Sequence, residues 1–542
     1  MALPTQATSN QMVGRVSDML ETIGVDRARL LHGMAWLNDY QDAYGNDEAA
    51  QWLRPLRLAL LGGDAVGTVD QAMAAVLRIK YSMLRLLGLA NKVLIIDEIH
   101  AYDRYMEEII SRMLEWCHAL HIPVILLSAP MQSAQKKCYL KCYGQEDVVL
   151  SDSYPLVTQI DRCGEVHEYD TESVFRTIYN VSTVQLLGET EQIAQYATER
   201  VRNGGCLCVM LNTVNQAQMV YRALNASEQA ENVQLLLFHA RFPVERRNEI
   251  EQRCLRWFGK GEGSCRPAKA ILVCTQVVEQ SLDVDFDEMI TGIAPVDLLL
   301  QRAGRIHRHR FRVRPAGFEQ PTIKVMIPAA SASGELEWRY GASGAVYDSF
   351  LLRNTEDLLN ETHAVRVPED MRALIEKCYE SVSEKTIEAY VRRQSGQVYM
   401  KNEAEHVMYC HPKPGVFFPQ QSHPQFELNE VDDGLAPVSG ASTRLGEETI
   451  RIAFLAEDLY ERAVRAPSDE EVIRDVMKKS VSLRLKNLSD EQLKDSDCKA
   501  MRLEKGKLKG SYVVQAEREC RIGCYRINVD DELGVCWEEV RK

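Results

Sequence analysis

Six short runs in this chain are apolar almost without a break: VLII (Val93–Ile96), PVILL (Pro123–Leu127), CLCVML (Cys206–Leu211), VQLLLF (Val233–Phe238), AILVCT (Ala270–Thr275) and TIKVMI (Thr322–Ile327). A strand with one wet face alternates apolar and polar residues, whereas a strand covered on both faces does not. Stretches at helical spacing accompany these runs. Met106, Ile109, Ile110, Met113, Leu114 and Cys117 make one such stripe, and Met12, Val16, Met19, Leu20 and Ile23 make another. Buried strands separated by amphipathic helices predict an α/β fold of parallel sheets covered on both faces. The runs fall into two groups, within 1–150 and within 180–325. A chain of 542 residues also exceeds what one core supports, so several domains are expected.

The expected organisation is a first lobe over 1–150, a second over 151–330, a helical linker over 331–410 and a small C-terminal domain over 411–542. Val69–Leu89, Val346–Leu359, Pro368–Val382, Ile450–Val464 and Glu470–Val481 read as helices. KPGVFFPQQSHPQ (Lys413–Gln425) reads as a connector, and SYVVQAE and CYRINVD near the end read as strands. No stretch approaches the roughly 18 unbroken apolar residues of a membrane span, and MALPTQATSN lacks the features of a signal peptide. Fifteen cysteines, an odd number scattered through strands and helices, suggest reduced thiols and a cytoplasmic protein. Their close groupings show no zinc-type Cys-x-x-Cys array. The formal net charge of −14 excludes unselective attraction to nucleic acid and leaves only local basic tracks.

One such track, QRAGRIHRHRFRVRP (Gln301–Pro315), carries six arginines. By spacing, Gln301, Arg302, Arg305 and Arg308 share one helical face, where converging guanidinium groups need an anionic partner. LIIDEIHAYD places Asp97 and Glu98 at the carboxyl end of a parallel strand, where such sheets bind ligands. One acid there suits magnesium and its neighbour suits the water that attacks a γ-phosphate. Between these motifs lies CTQVVEQSLDVDFD (Cys274–Asp287). Its Thr275 and Gln276 could touch nucleic acid, and its Asp283 could orient the arginines or a ribose. Taken singly, each motif also suits an ordinary acidic turn, an arginine-rich surface helix or a loop leading into an acidic surface strand.

In this order and spacing the motifs resemble superfamily 2 helicases of the DExH type. Within them they closely resemble the CRISPR-associated helicase, commonly a helicase–nuclease, of type I interference systems. The resemblance covers at least residues 1–330 and implies two RecA-like lobes gripping ATP and Mg2+. Asp97 would hold the metal and Glu98 would activate water. Arg305 and Arg308 would meet the γ-phosphate, with Gln301 close by. LPTQATSNQM (Leu3–Met12) and VGTVDQAM (Val66–Met73) look like DNA-gripping strand ends, which implies contacts from Thr5, Gln6, Thr8, Thr68 and Gln71. LNTVNQA and FHARF look like their counterparts in the second lobe, the latter contributing Arg241. His100 would bridge the acid motif to the second lobe. The implied function is an ATP-dependent single-stranded-DNA translocase recruited by an RNA-guided surveillance complex in antiviral defence.

The sequence departs from that family in three ways. The Gly-rich phosphate loop that precedes LPTQAT in the family is not seen, and neither FGKGEG (Phe258–Gly263) nor EKGKLKGS (Glu504–Ser511) has its pattern. No His-Asp dipeptide of the family's nuclease occurs. LLSAPMQ (Leu126–Gln132) has Pro130 where the family has threonine. The expectation is therefore a first lobe lacking its front and negligible ATP hydrolysis by this chain alone. The missing parts would be lost to a misassigned start or a broken gene, or carried by a separate polypeptide. A catalytically silent DNA-binding scaffold, or another superfamily 2 repair or RNA helicase, are the alternatives.

Overall fold

A computed structural model describes residues 1–33, 35, 56–261, 265–329, 336–409, 411–412, 442–445, 449–485, 496–504, 508–516 and 518–540. They form two compact units: the first takes 1–171, 394–448 and 507–509, and the second takes 172–393, 449–506 and 510–542. The connector expected at Lys413–Gln425 lies outside the described residues, as do parts of FGKGEG and EKGKLKGS.

The first unit is built on a five-stranded, wholly parallel sheet. Its strands are β1 (Ala2–Leu3), β2 (Arg29–Leu31), β3 (Ala65–Thr68), β4 (Leu94–Ile96) and β5 (Val124–Leu126), in the order β2-β3-β1-β4-β5. The apolar runs at 93–96 and 123–127 supply β4 and β5. The other three strands carry two to four residues each, too few to show a period. Strand β3 runs between β1 and β2 so tightly that a Cβ on Gly67 would sit 2.2 Å from the Leu31 carbonyl oxygen. The helix Arg104–Ala119 buries Met106, Ile109, Ile110, Met113, Leu114 and Cys117, the stripe its spacing predicts. The helix Gln6–Thr22 is also where its spacing places it, but it buries Val13 and Leu20 and leaves Met19 exposed. The single helix expected over Val69–Leu89 is instead two, Val69–Met73 and Ser82–Leu89. Tyr81, just before the second helix, adopts a left-handed conformation (φ 66°) that a continuous helix does not accommodate. A hairpin, β6 (Leu156–Ile160) with β7 (Val166–Asp170), lies just past residue 150 and belongs to this unit.

The second unit carries a seven-stranded sheet. Its strands are β8 (Thr177–Val184), β9 (Gly205–Met210), β10 (Gln234–Phe238), β11 (Lys269–Cys274), β12 (Glu288–Gly292), β13 (Thr322–Met326) and β14 (Ala364–Val367), in the order β10-β11-β9-β12-β13-β8-β14. Six run parallel, and β14, from within the span expected as a helical linker, pairs antiparallel with β8 at the edge. Strands β9 and β12 are buried at every residue, which is why their sequences show no alternation.

The C-terminal region adds two small sheets to this unit. One comprises β15 (Ile450–Leu455), β16 (Ser480–Leu483), β17 (Ala500–Arg502) and β18 (Tyr512–Gln515), and the other β19 (Glu519–Ile522), β20 (Tyr525–Asp530) and β21 (Gly534–Glu539). The helix expected from Ile450 begins only at Glu457. Ile450–Leu455 is a strand because β16 and β18 flank it on both sides and complete its backbone hydrogen bonds. No helix of the described residues is long and apolar enough to cross a membrane.

Gly67→Ala is expected to cost about 1–3 kcal/mol, the usual range for overpacking a tight site. Urea unfolding of the two proteins measures the difference.

Candidate functional site

Parallel strands share one carboxyl edge, and in the first unit Thr68 ends a strand on it while Thr5, Asp97 and Ser128 follow strand ends. Asp97 continues β4, its backbone N–H donating to Ala2 O at 2.9 Å. Its Oδ1 accepts the Glu98 N–H at 3.0 Å. Burial raises the Asp97 carboxyl above its ordinary pKa, with the Glu98 N–H opposing. Glu98 is held in a left-handed conformation (φ 52°), which a side-chain-bearing residue adopts at a cost. Around it, Ile99 N–H donates to Leu127 O and Ala101 N–H donates to Glu98 O, at 3.0 and 2.8 Å. The chain thus turns sharply after the strand, with two adjacent carboxylates at the corner.

His100 sets the second layer of this corner. Its Nδ1 lies 3.2 Å from the Ala129 N–H and 3.1 Å from Ser128 Oγ. An amide nitrogen only donates, so Nδ1 is the acceptor and the ring proton sits on Nε2. Nε2 is 3.4 Å from Glu98 Oε2. Burial pushes the imidazole down to about 4, which keeps it neutral near pH 7. The resemblance implies a bridge from His100 to the second lobe; within the first unit the ring meets Ser128, Ala129 and Glu98, a local contact that needs no hydroxyl at position 130.

In the second unit the basic track differs from its expected form. The helix Val296–Ala303 stops before Arg305, so Gln301, Arg302, Arg305 and Arg308 do not share a helical face. Arg302 points inward and is fully buried. Its Nε donates to Glu279 at 2.6 Å. Nη1 donates to Thr291 Oγ1 at 2.6 Å and to Gly292 O at 3.0 Å, and Nη2 donates to Tyr347 at 2.9 Å and Asn212 at 3.3 Å. Arg305 donates to the Glu279 carbonyl. Arg308, still 43% exposed, donates to Asp283 at 2.6 Å. Asp283 also faces His309 Nε2 at 3.2 Å. Burial would raise the Asp283 carboxyl, but Arg308 and His309 outweigh it and hold it below its ordinary value.

The rest of the track is internal. Arg312 and Arg314 reach Asp285 at 3.2 and 2.8 Å, Arg314 reaches Asp287 at 2.7 Å, and Arg266 reaches Asp287 at 3.0 Å. Both aspartates are buried. They are therefore not part of an acidic surface strand. The anion that Arg312 and Arg314 need is supplied by the chain itself.

The candidate DNA contacts divide by exposure. Thr5 and Thr8 close the first turn of the helix Gln6–Thr22 in a reciprocal capping box, and Gln6 is exposed beside them. Thr68 begins the helix Val69–Met73 and Gln71 lies within it, its Oε1 accepting from Arg85 at 2.9 Å. In the second unit Thr275 is 4% exposed, and Gln276 donates to Asn212 O at 3.0 Å and to Tyr347 at 3.1 Å. Those two brace the strand end; they do not lie open. Arg241 donates to Asn215 and lies over the Trp537 ring, 5.6 Å from its centroid. The β20–β21 hairpin docks beside it, since Val535 N–H donates to Arg241 O at 2.8 Å and Gln218 donates to Leu533 O at 2.7 Å. Arg85 and Trp537 escaped the sequence reading because no local pattern marks a residue whose partner lies elsewhere along the chain, whereas Ser128 lies in the LLSAPMQ motif that the sequence singled out.

Two parallel-sheet units with strand-end acids in one and strand-end donors with an arginine loop in the other are RecA-like helicase lobes. Comparison with known proteins narrows this. The family described as CRISPR-associated nuclease/helicase Cas3, C-terminal, matches residues 203–311. A CRISPR-associated endonuclease/helicase Cas3 of Thermus thermophilus is 30% identical over 99% of this chain and 66% of its own length. That of Escherichia coli K12 is 34% identical over 62% of this chain and 40% of its own. The crystal structure of T. fusca Cas3 with AMPPNP superposes with a TM-score of 0.82 at 29% identity, covering 99% of this chain and 64% of that one. A chain of a CRISPR RNA-guided surveillance complex in a pre-nicking state superposes at 0.73 and 26% identity, covering 99% of this chain and 67% of that one. The protein belongs to the Cas3 family of CRISPR-associated helicases, and it spans two thirds or less of the length of these curated relatives.

Arg302→Met is expected to destabilise the second unit by about 3–5 kcal/mol, the cost of stranding one partner of a buried ion pair. Adding Glu279→Met should recover only part of that, because Thr291, Gly292, Asn212 and Tyr347 still lose their donor; chemical denaturation of both variants checks it. The His100 imidazole lies at about 4 when folded against an ordinary 6.5, so its contribution is complete above that ordinary value and fades as pH falls toward the folded one. The difference in Tm between wild type and His100→Gln is therefore expected to shrink between about pH 7 and pH 4.

Proposed function

We propose that this protein couples ATP hydrolysis to movement along single-stranded DNA during CRISPR interference of type I, engaging a strand opened by an RNA-guided surveillance complex. The observation that carries this reading is the pair Asp97–Glu98, set at the carboxyl end of a parallel strand where the chain turns through the left-handed backbone at Glu98.

Magnesium suits the donors present. Among the described residues no cluster of three or more metal-ligating side chains exists. Mg2+ is commonly held by one or two carboxylates, with water and phosphate oxygens completing its shell. Asp97, half-buried and without a described cation partner, would hold the ion, which when bound would neutralise charge developing on the phosphates. Glu98 orients and deprotonates the attacking water, and the neutral His100 Nε2–H fixes the direction of its carboxylate. Arg308, positioned by Asp283, and Arg305 stabilise the transition-state charge, with Gln301 close by. Thr5, Gln6, Thr8, Thr68, Gln71 and Arg241 contact the DNA, while Thr275 and Gln276 support that surface from within.

The test is ATP hydrolysis with and without single-stranded DNA, measured on the protein that carries this chain. Glu98→Gln and Arg308→Ala are each expected to lower kcat by about 10³-fold or more, with DNA binding within twofold of wild type. Undiminished DNA-stimulated turnover in Glu98→Gln would contradict the assignment.

A further inference from the structure

Arg85 is an unusual cation. It lies on the helix Ser82–Leu89 and is 4% exposed. Its Nε is buried without a partner, and burial alone pushes its pKa down to about 10, with no neighbouring carboxylate to offset it. A buried guanidinium without a counter-ion is costly, and apolar packing at this position would need only a leucine. What the guanidinium does contribute is a grip on one residue. Nη1 donates to Gln71 Oε1 at 2.9 Å and lies 3.5 Å from the Gln71 carbonyl oxygen.

That grip decides which way the Gln71 carboxamide faces. A guanidinium has only donors, so the amide atom against it is the oxygen. The Nε2 group, with both of its N–H bonds, is turned away from Arg85, and no described residue accepts from it. Gln71 is half-buried on a short helix that starts at Thr68, on the same sheet edge as Thr5 and Asp97. Without Arg85 the carboxamide would rotate freely and present oxygen or nitrogen with similar ease. With it, the surface shows a fixed neutral donor.

We propose that Arg85 is a positioning residue for DNA: it locks the Gln71 side chain so that Nε2 donates to an acceptor on the single strand, a phosphate oxygen or a base carbonyl. This rests on the DNA-binding reading above and adds the residue that orients the contact. Because the donor is uncharged, its loss weakens binding without altering the salt dependence, whereas losing an ion pair to phosphate would lower the salt slope by about one.

The experiment is fluorescence anisotropy of a labelled oligothymidylate with the whole protein, across a salt series, with Tm recorded for each variant. Gln71→Ala is expected to weaken binding about fivefold, as for one lost hydrogen bond, and Arg85→Met about twofold, as for a donor presented half the time, both with unchanged salt slope. The double variant should be no weaker than Gln71→Ala. Gln71→Glu gives Arg85 a counter-ion, so Tm should rise, yet it offers DNA a carboxylate in place of a donor and should bind more weakly than Gln71→Ala. A merely structural role for Arg85 does not produce that opposition between stability and binding. If the wild type fails to bind the oligonucleotide, the DNA-binding reading fails and this proposal with it. If the wild type binds but Arg85→Met matches it, the two single effects multiply in the double variant, or Gln71→Glu binds as tightly as wild type, this proposal alone is overturned. Gln71→Glu keeps it testable even if Arg85→Met does not fold.

Discussion

Arg302 holds the second unit together at the point where several strand ends and the arginine loop meet. One guanidinium, without solvent contact, reaches the helix after β11 through Glu279, the end of β12 through Thr291 and Gly292, the end of β9 through Asn212, and Tyr347 beyond the sheet. Five directed hydrogen bonds from a planar group leave little freedom to the segments they join. Arg305 follows on the same chain and grips the Glu279 backbone. The loop that carries Arg308 therefore leaves a fixed base, although Arg308 itself remains in contact with water.

The neighbouring network of Arg266, Arg312 and Arg314 with Asp285 and Asp287 works on the other side of that loop. Three cations meet two buried carboxylates, so burial is compensated by more than one partner per acid. Asp287 also accepts the Cys206 N–H at 2.7 Å, which anchors the entry to β12 against the start of β9. The loop from Gly304 to Arg308 is thus pinned before and after. This division explains why one run of arginines contains both structural and exposed members: the former meet aspartates of the same chain, while Arg308 stands where Asp283 orients it without burying it.

The first unit solves a similar problem with hydrogen bonds instead of ion pairs. Glu98 sits in a strained backbone conformation, and the turn is sustained by bonds from Ile99, Ala101 and Asp97. His100 then ties this corner to Ser128 and Ala129 on the next strand end. Neutrality matters here, because a charged imidazole would hold the Glu98 carboxylate far more tightly than the neutral ring does. Burial supplies that neutrality with no further group.

The apolar runs announced the two sheets because a strand covered on both faces must be apolar throughout, and that demand is local. Asp97, Glu98, Arg305 and Arg308 could be singled out for a similar reason, since each lies within a few residues of a strand or helix end. Strands β1, β2 and β3 were not, being too short to carry a period. Ile450–Leu455 read as a helix because an apolar run does not say whether neighbouring strands complete its hydrogen bonds. The arginine track read as one exposed face because spacing on a helix says nothing of where the helix stops or which acids lie opposite. The linear order of residues thus set the strand positions, the family and the charged groups. Which of those charges face inward, which carboxamide is held by an arginine of another helix, and which histidine nitrogen holds the proton depend on partners 14 to 90 positions away, brought within about 3 Å only by folding.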